Sequence, residues 1–288
     1  MTWSWTLSGI SWQASPDRLN EDYFAVTDDL CVVLDGAGTP TGLDSGCRHG
    51  THWYVAELGR GILDVSARDP SRELRDILSA AIVRVAQLHG GQCDLAHPGT
   101  PSSTVSIVRQ VDGELEYLVL GDSPVLLAEP SRVRCIEDAR TAAVERAAAA
   151  RVPSAITMNS NAGRRAVVEY LRMQRNRIGG FWVADYDPRA AEYAFVGSVA
   201  VSAISGFAVM TDGVSRLVRV FGALSWGELI EAMQRRGLED TLERLRTLEA
   251  QDPECRQWPR TKVCDDATVI LGMTPNTTKG EARCNAGW

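Results

Sequence analysis

A chain of 288 residues that is 44% hydrophobic is long enough to bury a large core, as one big domain or two small ones, and no compositional break favours two. Its net charge of -7 argues against a nucleic-acid backbone or an anionic membrane surface as the main partner. The opening Met1-Thr2-Trp3-Ser4-Trp5 has no signal pattern, no apolar run reaches membrane-span length, and the seven cysteines lack repeated spacing, so a cytoplasmic protein with reduced thiols is expected.

Alternating Trp3, Trp5, Leu7 and Gly9 read as a strand, as do Tyr23 to Val26 and Cys31 to Leu34, with Asp28-Asp29 turning between them. Apolar residues at helical spacing predict helices over about Ser45 to Val65 and Ser71 to Leu88, the second closed by Gly90-Gly91. Thr104 to Val108 and Leu115 to Leu120 form a hairpin about Asp112-Gly113, and Val125 to Ala128 continues as a strand. Ala139 to Arg151 and Gly163 to Asn176 have helical character, but Arg132 to Gly180 as a whole reads as variable connecting structure. Strands are then expected at Phe181 to Ala184, Tyr193 to Val201 and up to Asp212. Helices follow at Val214 to Phe221, Ser225 to Arg236 and Leu238 to Ala250, then a last strand at Ala267 to Met273. Residues 1–273 read as one domain and 274–288 as a polar tail. Clustered strands and paired helices indicate α+β with an antiparallel sheet.

Four acidic motifs adjoin apolar runs: Asn20-Glu21-Asp22, Asp35-Gly36, Asp212-Gly213 and Asp265-Asp266. One Asp-Gly is usually a turn. A set of carboxylates at strand ends is different, because converged acids repel unless cations neutralise them. A metal site is therefore expected.

In order along the chain, Asn20-Glu21-Asp22, Val33-Leu34-Asp35-Gly36-Ala37-Gly38, Ser102-Ser103-Thr104-Val105, Gly121-Asp122-Ser123, Thr211-Asp212-Gly213 and Asp265-Asp266-Ala267-Thr268 resemble the motifs of the PP2C, or PPM, metal-dependent serine/threonine protein phosphatases, most of all the bacterial branch. The resemblance implies a four-layer α-β-β-α sandwich with two central antiparallel sheets, two Mn²⁺ or Mg²⁺ ions with a possible third, and a phosphorylated protein or peptide as substrate. By position, it implies that Asp35 bridges the ions with the Gly36 carbonyl as a further ligand. Asp212 and Asp265 would bind one ion, Glu21 and Asp22 the other side, and Asp122 a third, weaker site. Hard oxygen ligands suit Mg²⁺ or Mn²⁺ rather than zinc.

Three departures from the family pattern stand out. The phosphate-gripping arginine is expected at the position of Asp17, whereas Arg18 lies one residue later. Ala37 stands where some members have a general-acid histidine, and Asp266 replaces an asparagine. A catalytically impaired regulatory module of the same fold is thus the alternative reading. A haloacid-dehalogenase reading of Leu34-Asp35-Gly36 fails because Val33 stands where that class needs its nucleophilic aspartate.

The four histidines lie near Cys47 and Cys93, and Cys47-Arg48-His49 beside Cys93 to His97 offers zinc-type ligands at spacings that fit no standard finger. The expectation is that His49 and His52 sit on the helix after the second motif, packed within the cleft or facing it, where either one would replace the missing acid. Most of the tryptophans read as packing anchors. Arg256, Arg260 and Lys262 read as a solvated basic face, with a minor role in attracting phosphorylated substrate.

Overall fold

The computed structural model describes residues 3–39, 43–153, 156 and 158–274. The expected polar tail lies almost entirely outside the described residues.

Strand β3 (Leu30–Ala37) shows why the fold is layered. Its apolar run splits by parity: Leu30, Val32 and Leu34 join one core, and Cys31 and Val33 join another. Side chains on a strand alternate between faces, so an unbroken apolar run signals burial on both. Each fully buried Val or Leu contributes about 1.5–3 kcal/mol.

The first sheet has the order β2 (Asp22–Val26), β3, β4 (Ser102–Val111), β5 (Glu114–Leu120), β8 (Phe195–Ala200). The second runs β1 (Thr6–Trp12), β10 (Ala267–Met273), β9 (Gly206–Met210), β6 (Val125–Glu129), β7 (Arg132–Ile136). Every pairing is antiparallel. Helices α1 (Thr51–Arg68) and α2 (Leu74–Leu88) cover the first sheet through Leu58, Ile62, Ile77 and Ile82. Helices α5 (Asp212–Arg219), α6 (Trp226–Arg236) and α7 (Leu238–Gln251) cover the second through Leu217, Leu229 and Leu242. Between the sheets lie Val33, Val119, Leu127, Phe207, Val209 and Ile270, with Trp5 edge-on to Phe207 at 5.3 Å. The architecture is the expected α+β sandwich of two five-stranded antiparallel sheets with outer helices.

Three local expectations are corrected. Phe181 to Ala184 is not a strand: its ladder pairing is limited to the isolated bridges Arg175–Phe181 and Ser103–Ala184, because β5 takes that edge of β4 from Val105 onward. Arg132 to Gly180 is more than connecting structure, since it supplies edge strand β7 and helices α3 (Ala139–Ala149) and α4 (Asn161–Gln174). Helix α1 begins at Thr51 rather than Ser45, after Gly50 at φ 81°, a left-handed backbone that suits glycine and starts the helix late. His49 therefore precedes the helix. Among the described residues no helix is long and apolar enough to cross a membrane.

The loop after α7 is organised by Asp252, which is buried. Its carboxylate accepts N–H bonds from Arg256 at 2.8 Å and Trp258 at 2.9 Å, and pairs with Arg260 at 2.9 Å. Desolvation opposes its charge, yet those bonds hold the carboxyl at about 2, below its ordinary 3.8. A depressed folded-state value means that this stabilisation is present above the unfolded value and is lost as pH falls from about 4 to about 2. Asp252→Asn is expected to lower the melting temperature at neutral pH and to make its fall between those pH values shallower. Parallel acid limbs for the two proteins would refute this.

Candidate metal centre

The acids collect at one end of the sandwich, where β2 and β10 begin and β3, β5 and β9 end. The register places Asp22 opposite Asp35 and Asp35 opposite Thr104. Asp22 is buried, and its Oδ2 accepts hydrogen bonds from Thr211 Oγ1 at 2.9 Å and Thr268 Oγ1 at 2.7 Å, so that it ties the first sheet to the second. Burial, opposed by the Thr268 bond and reinforced by Asp266 and Asp265, raises its carboxyl well above the usual range.

Asp35 is the electrostatic focus. Burial first, then Asp212, Asp22, Asp265 and Asp122, push its carboxyl well above the ordinary value. Asp122 follows β5 and is pushed up to about 7 by desolvation and then by Asp212. The structure thus sets Asp22, Asp122, Asp212 and Asp265 close enough to Asp35 to act on its charge, although they are separated from it by up to most of the chain.

Two close approaches need glycine. A Cβ on Gly213 would lie 1.9 Å from the Asp266 carbonyl, so only glycine lets the start of α5 press against the segment entering β10. One on Gly36 would lie 2.5 Å from the Glu21 carbonyl, which accepts the Gly36 N–H at 3.1 Å. Glu21 is thereby held beside the second motif, and Arg18 Nη2 lies 3.8 Å from its carboxylate with the arginine side chain 55% exposed.

Asp266 both acts on the site through its charge, which raises the Asp22 carboxyl, and has a local bonding role. Its two oxygens accept the backbone N–H groups of Ala14 at 2.7 Å and Glu21 at 2.8 Å, and so shape the segment that carries the first motif.

Asp265 is more heavily engaged than its expected role as an ion ligand requires. Lys262 Nζ lies 2.7 Å from Oδ1 and Arg216 Nη2 lies 2.6 Å from Oδ2. Burial opposes its charge, but Lys262 and then Arg216 hold the carboxyl below the ordinary value. Arg216 continues to Glu249 at 3.2 Å, and Arg246 meets the other Glu249 oxygen at 2.6 Å. Both Arg216 and Glu249 are buried. Lys262 is therefore not part of a solvated basic face, and neither is the buried Arg260; Arg256 is exposed.

Sequence reasoning missed this basic support and also Glu145 on α3. Desolvation, then Asp122 and Asp212, push Glu145 up to about 8, although the residue as a whole keeps solvent exposure. Helical spacing could have suggested Arg216, four residues after Asp212 on one face of α5. Nothing local marks Glu145 or Glu249.

The two histidines singled out from the sequence are engaged differently, and His52, which is exposed, commits only one of its two ring nitrogens. His52 donates from Nδ1 to the Asn20 carbonyl at 2.7 Å. His49 turns away to the thiols of Cys47 and Cys93, at 3.8 and 3.4 Å.

Divalent cations fit this donor set. The cluster offers hard carboxylate oxygens, those of Asp22 buried and the rest half-buried, and cations would relieve the crowding that raises the Asp35, Asp22 and Asp122 carboxyls. Asp265 fits on the condition that Lys262 moves off it.

Among solved structures, the chain is similar to the PPM Ser-Thr phosphatase MsPP from Mycobacterium smegmatis in complex with cacodylate, at 15% identity and TM-score 0.55, covering 94% of this chain and 98% of that one. It is also similar to the catalytic domain of the serine threonine protein phosphatase PstP in complex with two manganese ions, at 14% identity and TM-score 0.54, covering 93% and 97%. Stp1 from Staphylococcus aureus gives 13% identity and TM-score 0.57, covering 96% and 97%. At such identities the likeness is one of fold. No curated protein sequence matches the chain. The model of one family, protein phosphatase 2C, matches residues 14–249. With most of its length matched in this way and its sandwich shared with solved relatives, the chain belongs to the protein phosphatase 2C family of protein-serine/threonine phosphatases.

Proposed function

We propose that this chain hydrolyses phosphoserine and phosphothreonine in proteins or peptides with two Mn²⁺ or Mg²⁺ ions, and that it belongs to the bacterial branch of the family. The observation that carries the reading is Asp35, half-buried and electrostatically pressed by four other acids at the shared end of two sheets. In this reading Asp35 would hold both ions, with the Gly36 carbonyl as a further ligand, and Asp212 and Asp265 would hold one. Glu21 and Asp22 support the other, and Asp122 a third, weaker site. When bound, the ions supply Lewis-acid charge and a water acidified enough to attack phosphorus at neutral pH.

The chain's own residues bind, orient and balance charge. Asp22, fixed by Thr211 and Thr268, keeps one carboxylate at a set place between the sheets. Arg18, exposed at the rim beside Glu21, grips the substrate phosphate.

Hydrolysis of a phosphothreonine peptide with Mn²⁺, Mg²⁺ or EDTA tests the reading. Phosphate release that needs metal is expected, and release undiminished by EDTA would sink it.

A regulatory module of the same fold is favoured by one observation, the capture of both Asp265 oxygens by Lys262 and Arg216. Lys262→Gln separates the two. For a working phosphatase, removing the competing ammonium is expected to lower the Mn²⁺ concentration for half-maximal activity about tenfold, equivalent to about 1.4 kcal/mol. Mn²⁺ binding seen by calorimetry only in the variant would support the module.

A further inference from the structure

Outside the carboxylate centre, Cys47, His49, His89 and Cys93 point one ligand atom each at a common volume, with all four atoms within 4.8 Å of one another. We propose that these four side chains form a closed structural Zn²⁺ site that staples the segment before α1 to the end of α2 and the loop that follows it.

The geometry matches the chemistry of a Cys₂His₂ centre. Cys93 Sγ lies 3.8 Å from Cys47 Sγ and 3.4 Å from His49 Nδ1, and Cys47 Sγ lies 3.8 Å from His49 Nδ1. A zinc tetrahedron with Zn–S of about 2.3 Å and Zn–N of about 2.0–2.1 Å has ligand-to-ligand edges of roughly 3.3–3.8 Å. Cys47 and Cys93 are free thiols at 3.8 Å and are not joined as a disulfide, whose sulfurs sit about 2.05 Å apart.

His89 supplies an independent observation. It is 4% exposed, donates from Nδ1 to the Val85 carbonyl at 2.9 Å, and leaves Nε2 buried without a hydrogen-bond partner. A buried, unpartnered ring nitrogen is costly. The Val85 bond fixes the tautomer whose lone pair faces the cluster, the arrangement in which a zinc-bound histidine is held by a backbone carbonyl. The His49 N–H lies 3.4 Å from Cys47 Sγ, a bond that a thiolate accepts more strongly than a thiol. Trp53 stacks on His49 at 4.2 Å and meets His89 edge-on at 4.8 Å, screening the cluster from one side.

The pattern is C-x-H followed by H-x-x-x-C, so the partner of the first half is His89, one turn before Cys93, and not His97. His97 instead faces Asp44 at 3.9 Å. With four protein ligands the site is closed, which makes it structural and not catalytic. Its consequence is positional: the stapled segment leads into Thr51, whose side chain packs against Gly36 and Gly38 next to Glu21.

The test uses the full chain, purified under reducing conditions and exchanged against EDTA, with metal measured by mass spectrometry. Expected is a single zinc per chain, retained in Asp35→Asn and lost in Cys93→Ser. Because Cys93→Ser has its own folding risk, Asp35→Asn, which lacks the other centre, is also to be loaded with Co²⁺. Expected there are the intense visible bands of tetrahedral cobalt together with thiolate-to-cobalt charge transfer. Zinc absent from the wild type, zinc lost in Asp35→Asn but retained in Cys93→Ser, an octahedral cobalt spectrum, or a Cys47–Cys93 disulfide in a non-reducing peptide map would each overturn the proposal. Since Asp35→Asn removes the other centre, failure of the phosphatase reading and failure of the zinc site are read separately.

Discussion

Asp35→Asn is expected to reduce metal-dependent phosphate release at least about 10³-fold, a loss of about 4 kcal/mol of transition-state stabilisation, while leaving the metal-free protein at least as stable as the wild type. Both halves follow from one environment. Asp35 stands at the end of β3 opposite Asp22 and Thr104, and its carboxylate is pressed by burial and by Asp212, Asp22, Asp265 and Asp122. Asparagine keeps the shape, removes the charge that draws both cations, and relieves repulsion when they are absent. Melting curves with and without Mn²⁺ provide the control. The wild type gains stability with Mn²⁺, as any protein does from a ligand that binds only its folded state, and the variant gains little. A variant that unfolds without metal would show that Asp35 serves the fold first.

Arg216→Met is expected to destabilise the protein by about 3 kcal/mol, the lower end of the range for breaking a buried ion pair from one side. Arg216 joins Asp265 to Glu249, both within ion-pair distance, and Glu249 is fully buried. The cost comes from stranding a carboxylate and not from losing an attraction. It sits at the lower end because Arg246 stays on the other Glu249 oxygen at 2.6 Å. Urea denaturation measures the loss, and Arg216→Met combined with Glu249→Gln should recover part of it, since the stranded charge is then gone. No recovery in the double variant would mean that Asp265, not Glu249, bears the loss.

How much of this was legible in the chain depends on the range of the interaction. Strand β3 was readable because burial on both faces demands an apolar residue at every position from Leu30 to Leu34. Phe181 to Ala184 was misread because an apolar run reports burial, not pairing, and β5 holds that edge of β4 from Val105 onward. The Asp-Gly motifs were legible as a set, since close backbone approach restricts Gly36 and Gly213 to glycine. Asp266 was legible as an acid but not as the acceptor for Ala14 and Glu21, residues nearly the whole chain away.

The sequence by itself determined which acids end strands, the α+β class and the family, because each rests on local pattern or on motif order. The tertiary structure decided the rest: that Lys262 and Arg216 hold Asp265, that Asp122 and Asp212 act on the Glu145 carboxyl, and that His89 rather than His97 completes the cluster with Cys47, His49 and Cys93. The physical reason is common to all three. Coulomb and ligand interactions act over a few ångströms in space, and only the folding of two sheets and their helices brings groups so distant in sequence within that distance.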